Sequence, residues 1–96
     1  MDLGLAGKIV FITGPAKGMG AAISGAFAAE GCGLILAGRD LDAIRPVAEA
    51  AIQSGAETLL QSCDITSPES VEASVAAAVR HFGRIDVLVN LSLILI

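Results

Sequence analysis

The chain alternates between short β-rich apolar runs and longer stretches whose apolar residues recur at helical spacing. Lys8-Ile9-Val10-Phe11-Ile12-Thr13 is the first run, and Gly14-Pro15 stops it. From Gly18 onward Met19, Ala22, Ile23, Phe27 and Ala28 follow a helical period, with Gly31 as the stop. Leu34-Ile35-Leu36-Ala37 reads as a second buried strand. Asp40 caps a helix expected to run to about Ser54 and to close on Gly55. Pro46 lies inside it and is expected to kink it, or to confine the first turn to Leu41–Arg45, because proline lacks the N–H that bonds one turn back. Glu57–Cys63 forms the third strand. Ser67-Pro68, a cap followed by proline at the first helical position, opens a helix to Phe82 that Gly83 ends, and Ile85–Asn90 begins a fourth strand.

Strands without clear alternation, separated by crossover helices, imply an α/β fold with a parallel sheet covered on both faces. Right-handed crossovers then restrict the winding, and the expected spatial order is 3-2-1-4. The first two helices fall on one face and the third on the other. The topological switch lies between strands 1 and 4, and ligands of such doubly wound sheets bind outside the carboxyl ends of the strands at that point. Thr13-Gly14, Gly38-Arg39, Cys63-Asp64 and Asn90 therefore converge on one edge.

Candidate chemistry concentrates in the segment that joins the first strand to the first helix, Thr13-Gly14-Pro15-Ala16-Lys17-Gly18-Met19-Gly20. Gly14 permits a tight turn, Gly18 lets backbone approach a diphosphate, and Gly20 lets the helix lie close to the sheet. The helix N-terminus adds unpaired N–H groups and a partial positive charge for an anion. A turn chosen for geometry alone has the same glycines, but its place after a strand and before a helix favours a nucleotide site. A P-loop is excluded: it needs Gly-Lys followed by Ser or Thr, and here Lys17 precedes Gly18 and Met19 follows. A methyltransferase on the same sheet would want a carboxylate ending strand 2, where Gly38-Arg39 stands instead.

Thr-Gly-x-x-x-Gly-x-Gly, as it stands in Thr13–Gly20, resembles the cofactor fingerprint of the short-chain dehydrogenase/reductase family. Leu5-Ala6-Gly7-Lys8, Cys63-Asp64-Ile65 and Phe82-Gly83-Arg84-Ile85-Asp86-Val87-Leu88-Val89-Asn90 agree with it, so the likeness runs nearly to Asn90. The resemblance implies a Rossmann-type sheet over residues 1–90, here truncated after strand 4, followed by a divergent apolar tail over 91–96. It implies that Gly14, Ala16, Lys17, Gly18, Met19 and Gly20 contact the cofactor, that Asp64 takes the adenine amino group, and that Ile65 lies against the ring. Asn90 matches the first residue of the family's Asn-Asn-Ala-Gly segment, which lines the cofactor. NAD-binding sheets place an acid after strand 2 for the ribose hydroxyls. This chain has Gly38 there, then Arg39, a planar donor fork suited to a 2′-phosphate. With Lys17 as a second cation at the same corner, the expected cofactor is NADP rather than NAD.

Composition narrows the partners. Apolar residues are 54% of the 96 and charged ones 17%, which suits a packed domain. A formal net charge of −4 gives no reason to expect nucleic acid. No stretch reaches the ~20 apolar residues of a bilayer span, and Met1-Asp2-Leu3-Gly4 is no signal peptide, so a cytoplasmic location with no membrane partner is expected. His81 reads as a helix-end surface residue, and Thr66-Ser67-Pro68 as a cap. Cys32 and Cys63 sit at opposite ends of neighbouring parallel strands, ~17–20 Å apart for five or six residues, against a disulfide limit of ~7 Å between Cα atoms.

The family's chemistry uses a Tyr as acid/base, a Lys four residues later and a Ser that orients the carbonyl. The chain has no Tyr, and its two lysines, Lys8 and Lys17, are already placed at the first strand and its turn. After Asn90, Leu91-Ser92-Leu93 replace the expected Asn, Ala and Gly, and the sequence closes on Ile94-Leu95-Ile96 with no cap or charge. Two readings follow. In one, the chain is a fragment, from an incomplete or frameshifted reading frame, of an NADP-dependent oxidoreductase that moves hydride between nicotinamide and a carbonyl or alcohol. In the other it is a non-catalytic dinucleotide-binding or assembly module. The family is usually homo-oligomeric, and its oligomer helices are not among these residues.

Overall fold

A computed structural model describes residues 4–15 and 18–91. Four parallel strands, β1 (Ile9–Thr13), β2 (Gly33–Gly38), β3 (Thr58–Ser62) and β4 (Val87–Asn90), alternate with three helices, α1 (Met19–Ala29), α2 (Leu41–Gln53) and α3 (Pro68–Phe82). Their spatial order is β3-β2-β1-β4, as expected from the sequence. The core splits by strand parity. Val10, Ile12, Leu34 and Leu36 face Ala28 of α1 and Ile44, Ala48 and Ala51 of α2. Ile9, Phe11, Ile35 and Ala37 face Ala78 and the partly buried Phe82 of α3. The side-chain period of two thus divides one apolar strand between two helical layers.

The helix signals act where the residues place them. Asp40 Oδ1 accepts the Ala43 N–H at 3.2 Å, and Ser67 Oγ accepts that of Ser70 at 3.2 Å. Gly83, at φ 88°, closes α3. Two expectations need correction. Three strands start later than the expected runs, at Ile9, Thr58 and Val87 rather than Lys8, Glu57 and Ile85, whereas β2, Gly33–Gly38, extends one residue beyond Leu34–Ala37 at each end. Hydrophobic runs mark what is buried, and ladder pairing begins only where a partner strand is alongside. Nor does Pro46 confine a first turn: α2 continues through it to Gln53. Pro46 and Asp42, whose carbonyl would have accepted the missing N–H of residue 46, are both exposed residues.

Polar groups pin the layers at both edges. The buried Ser74 hydroxyl of α3 lies 2.9 Å from Ser62 O and 2.8 Å from Ser70 O, tying α3 to the end of β3. At the amino edge, Asp86 Oδ2 accepts from Ile9 N at 2.8 Å and Arg84 Nε at 2.9 Å, while Arg84 Nη2 donates to Gly7 O at 2.8 Å. The Ile9 bond first, and then the Arg84 bond, hold the Asp86 carboxyl below the usual carboxylate range. A depressed folded-state pKa contributes stability above the unfolded value, and that contribution is lost as pH falls through the folded one. Asp86→Asn should therefore lower Tm at neutral pH, and the gap to the parent should close below about pH 4. Thermal melts across pH measure this, and a gap independent of pH would refute it.

Candidate functional site

The carboxyl ends of the four strands form one edge, and Thr13 is its centre. It pairs with Ala37 of β2 and Asn90 of β4. The Thr13 hydroxyl donates to Asn90 Oδ1 at 2.8 Å, Leu91 N donates to Thr13 O at 2.9 Å, and Gly14 N donates to Ala37 O at 2.9 Å. The chain leaves the sheet from an anchored point and turns at once, with Gly14 at φ 73° and Gly18 at φ 52°. These are left-handed values that favour glycine.

No side chain caps α1. Its first-turn N–H groups have no acceptor within the helix and point out of the N-terminal end at this edge. Met19, at its first position, is 72% exposed. At Gly20 a Cβ would lie 2.6 Å from Pro15 Cα and 2.9 Å from Pro15 C. Gly20 thus lets the helix close on Pro15, the buried turn residue just beyond the end of β1. Ala16 and Lys17 lie outside the described residues.

Across the edge, Arg39 follows β2 in an exposed position, and Asp64 follows β3. Asp64 Oδ1 accepts from Thr66 N at 2.9 Å and Thr66 Oγ1 at 2.7 Å, and its own N–H donates to Ser70 Oγ at 2.8 Å. The Thr66 hydroxyl, then the Thr66 N–H, hold the carboxyl below its ordinary range, and the positive Arg39 adds to this. Ile65, half-buried, lines an apolar cleft between α3 and β4 with Phe11, Val71, Val75, Leu88 and Asn90. The structure thus joins Gly14, Gly18 and Gly20 in one turn, Asn90 to the strand before it, and Arg39 to Asp64 by charge. Reading the sequence did not single out the Thr13 hydroxyl or Ser70 as site residues. The predicted strand order, which sets Thr13 beside Asn90, contained the signal for the first.

Other polar residues fall away from this edge. His81 Nε2 meets Glu57 Oε2 at 2.8 Å at the amino edge, its ring edge-to-face with Phe82. Cys32 and Cys63 are buried and free. Among the described residues no group of three His, Cys, Asp or Glu could hold a metal, and no helix is long and apolar enough to cross a membrane.

Among the described residues the sheet order is that of the first four strands of a Rossmann-type fold. A profile of the short chain dehydrogenase family matches residues 8–92. D-threitol dehydrogenase of Mycolicibacterium smegmatis is 41% identical over 91 residues, covering 93% of this chain and 34% of its own length. L-sorbose reductase of Gluconobacter frateurii, solved with NADPH and L-sorbose, superposes with a TM-score of 0.90 at 36% identity, over 98% of this chain and 36% of that one. An NAD+-bound xylitol dehydrogenase gives 0.84 at 32% identity, over 88% of this chain and 32% of that one. The chain belongs to the short-chain dehydrogenase/reductase family of oxidoreductases. It spans about a third of the length of these relatives.

The Gly20 geometry yields a paired test. Gly20→Ala forces a Cβ into Pro15 backbone and should cost about 1–3 kcal/mol. Gly25→Ala, in the same helix with nothing within 4 Å of the new Cβ, should gain up to about 1 kcal/mol from helix propensity. Denaturant melts of both variants check the pair, and equal effects would remove Gly20's packing role.

Proposed function

We propose that the carboxyl edge binds a dinucleotide, NADP in preference to NAD, and that these residues are the cofactor-binding part of an oxidoreductase acting on a carbonyl or alcohol. One observation carries the preference: β2 ends on a bare glycine, and the next residue, Arg39, is an exposed cation beside Asp64. An acid at that strand end would accept ribose hydroxyls and repel a 2′-phosphate. A guanidinium instead offers paired donors to the phosphate.

The other residues fit the same ligand. The uncapped N-terminus of α1, with Gly18 in a left-handed conformation, suits the diphosphate. Lys17 and Ala16 belong to the same turn in sequence, and Lys17 is proposed as the second cation. Gly14, Met19 and Gly20 form the rest of that wall. Thr66 occupies Asp64 Oδ1, leaving Oδ2 as the acceptor for the adenine amino group, with Ile65 against the ring. Asn90, braced by Thr13, lines the path toward the nicotinamide. When bound, NADP supplies hydride exchange at its nicotinamide ring. These residues bind and orient it; the proton that accompanies hydride transfer needs an acid/base with suitable pKa and geometry, and the chain contains no Tyr to serve. Binding without turnover is the property proposed for the 96 residues, and turnover belongs to the longer protein whose relatives they match.

Titration calorimetry tests the preference directly. NADPH should bind more tightly than NADH, and Arg39→Ala should weaken NADPH by about 1.5–3 kcal/mol, the range of a hydrogen bond to a charged group, with little effect on NADH. Arg39→Asp should reverse the order. Equal affinities in the parent would overturn the assignment.

A further inference from the structure

Gly38 ends β2 at the position where an acid would select NAD, and its backbone gives no reason for a glycine. Gly14 and Gly18 have left-handed φ values, whereas Gly38 does not. What a side chain here would meet is the end of Ile44, which would have to move to admit it. A Cβ at position 38 would lie 2.6 Å from Ile44 Cδ1 and 3.8 Å from Ile44 Cγ1. Ile44 is 2% exposed and packs in the core layer of Leu36 and Ala48. Its placement is set from α2: Asp40 Oδ1 caps Ala43 N at 3.2 Å, and Asp40 O accepts from Ile44 N at 3.3 Å. The first turn of α2 therefore delivers Ile44 onto the last residue of β2. By strand parity, position 38 faces the same side as Leu34 and Leu36, which is the side of α1.

We propose that Ile44 sets the cofactor preference at one remove, by filling with its Cδ1 the space that a carboxylate-bearing side chain at position 38 would need. The proposal rests on the dinucleotide reading of this edge. Ile44 is a positioning residue that touches no cofactor. It keeps the end of β2 bare, so that Arg39 meets the adenosine ribose with no carboxylate rooted at position 38. A change of preference at position 38 is then expected to be fuller when Ile44 is shortened as well.

Ile44→Val removes Cδ1 and retains the rest of the side chain, which makes a double-mutant cycle clean. Gly38→Ala adds only the clashing Cβ. It should lower Tm in the parent and lower it by less than half as much in the Ile44→Val background. Equal drops in both backgrounds would overturn the proposal, whatever the chain binds. For the cofactor, Gly38→Asp alone should weaken NADPH about tenfold or more, a difference of ~1.4 kcal/mol, without gaining NADH. Gly38→Asp with Ile44→Val should bind NADH more tightly than NADPH. The same preference in both aspartate variants would also overturn it. A parent that binds neither dinucleotide would instead overturn the reading of the edge, while the Tm cycle still decides whether Ile44 excludes a side chain at position 38.

Discussion

The site depends on Thr13 being held from both sides. Because β1 lies between β2 and β4, its last residue has a partner strand on each flank, and its carbonyl, hydroxyl and following N–H are all engaged. A strand end with one neighbour frays. This one cannot fray without breaking bonds to Leu91, Asn90 and Ala37 together. The glycine turn therefore starts from a fixed point, and the N-terminus of α1 is aimed by the sheet rather than by the turn's own stiffness. The reversal in strand order that opens the crevice also braces it.

A second constraint is the closeness of the layers, achieved by leaving Cβ atoms out. A Cβ at Gly20 would strike Pro15, one at Gly33 would lie 2.8 Å from the Phe82 ring, and one at Gly38 would strike Ile44. None of these three glycines has a left-handed φ, so each is there for approach and not for a turn. Backbone at Gly20, the Phe82 ring and the end of Ile9 at Gly33, and the end of Ile44 at Gly38 take the space a Cβ would need. Interiors packed to crystal-like density feel a single added methyl group. Under the proposed reading, position 38 is the place where this packing rule and cofactor chemistry meet.

That distinction also marks what the sequence alone reveals. The elements, their order and the two-faced core were legible because parity, caps and crossover handedness act locally and agree with one another. Asp40, Ser67 and Gly83 end or begin helices where residue type alone places them. The convergence of Thr13, Arg39, Asp64 and Asn90 on one edge followed from strand order. The partner of a glycine was not legible: Gly20 meets Pro15 and Gly38 meets Ile44 only once the strand–helix junctions between them are folded, and residue type does not distinguish a glycine of turn from a glycine of approach. Pro46 is a related case: of the two outcomes expected there, the confined first turn is not seen, because α2 runs on to Gln53, and what a proline's missing N–H leaves unpaired is decided by the folded surface.

Arg39 and Asp64 raise a last question, since opposite charges at one edge tend to pair and cancel. Here the carboxylate is tied first by its own turn: Thr66 gives Oδ1 two bonds, at 2.9 and 2.7 Å, and these lower its pKa more than Arg39 does. Asp64 therefore stays ionised and oriented without needing the guanidinium as its partner. Arg39, exposed on the neighbouring strand end, remains available to an anion. Under the proposed reading the two charges address different parts of one adenosine, the amino group at Asp64 and the 2′-phosphate at Arg39. A salt bridge between them would satisfy both and bind nothing. On that reading the Thr66 turn, which looks like a simple helix lead-in, keeps the carboxylate and the guanidinium of this edge separately available to a ligand.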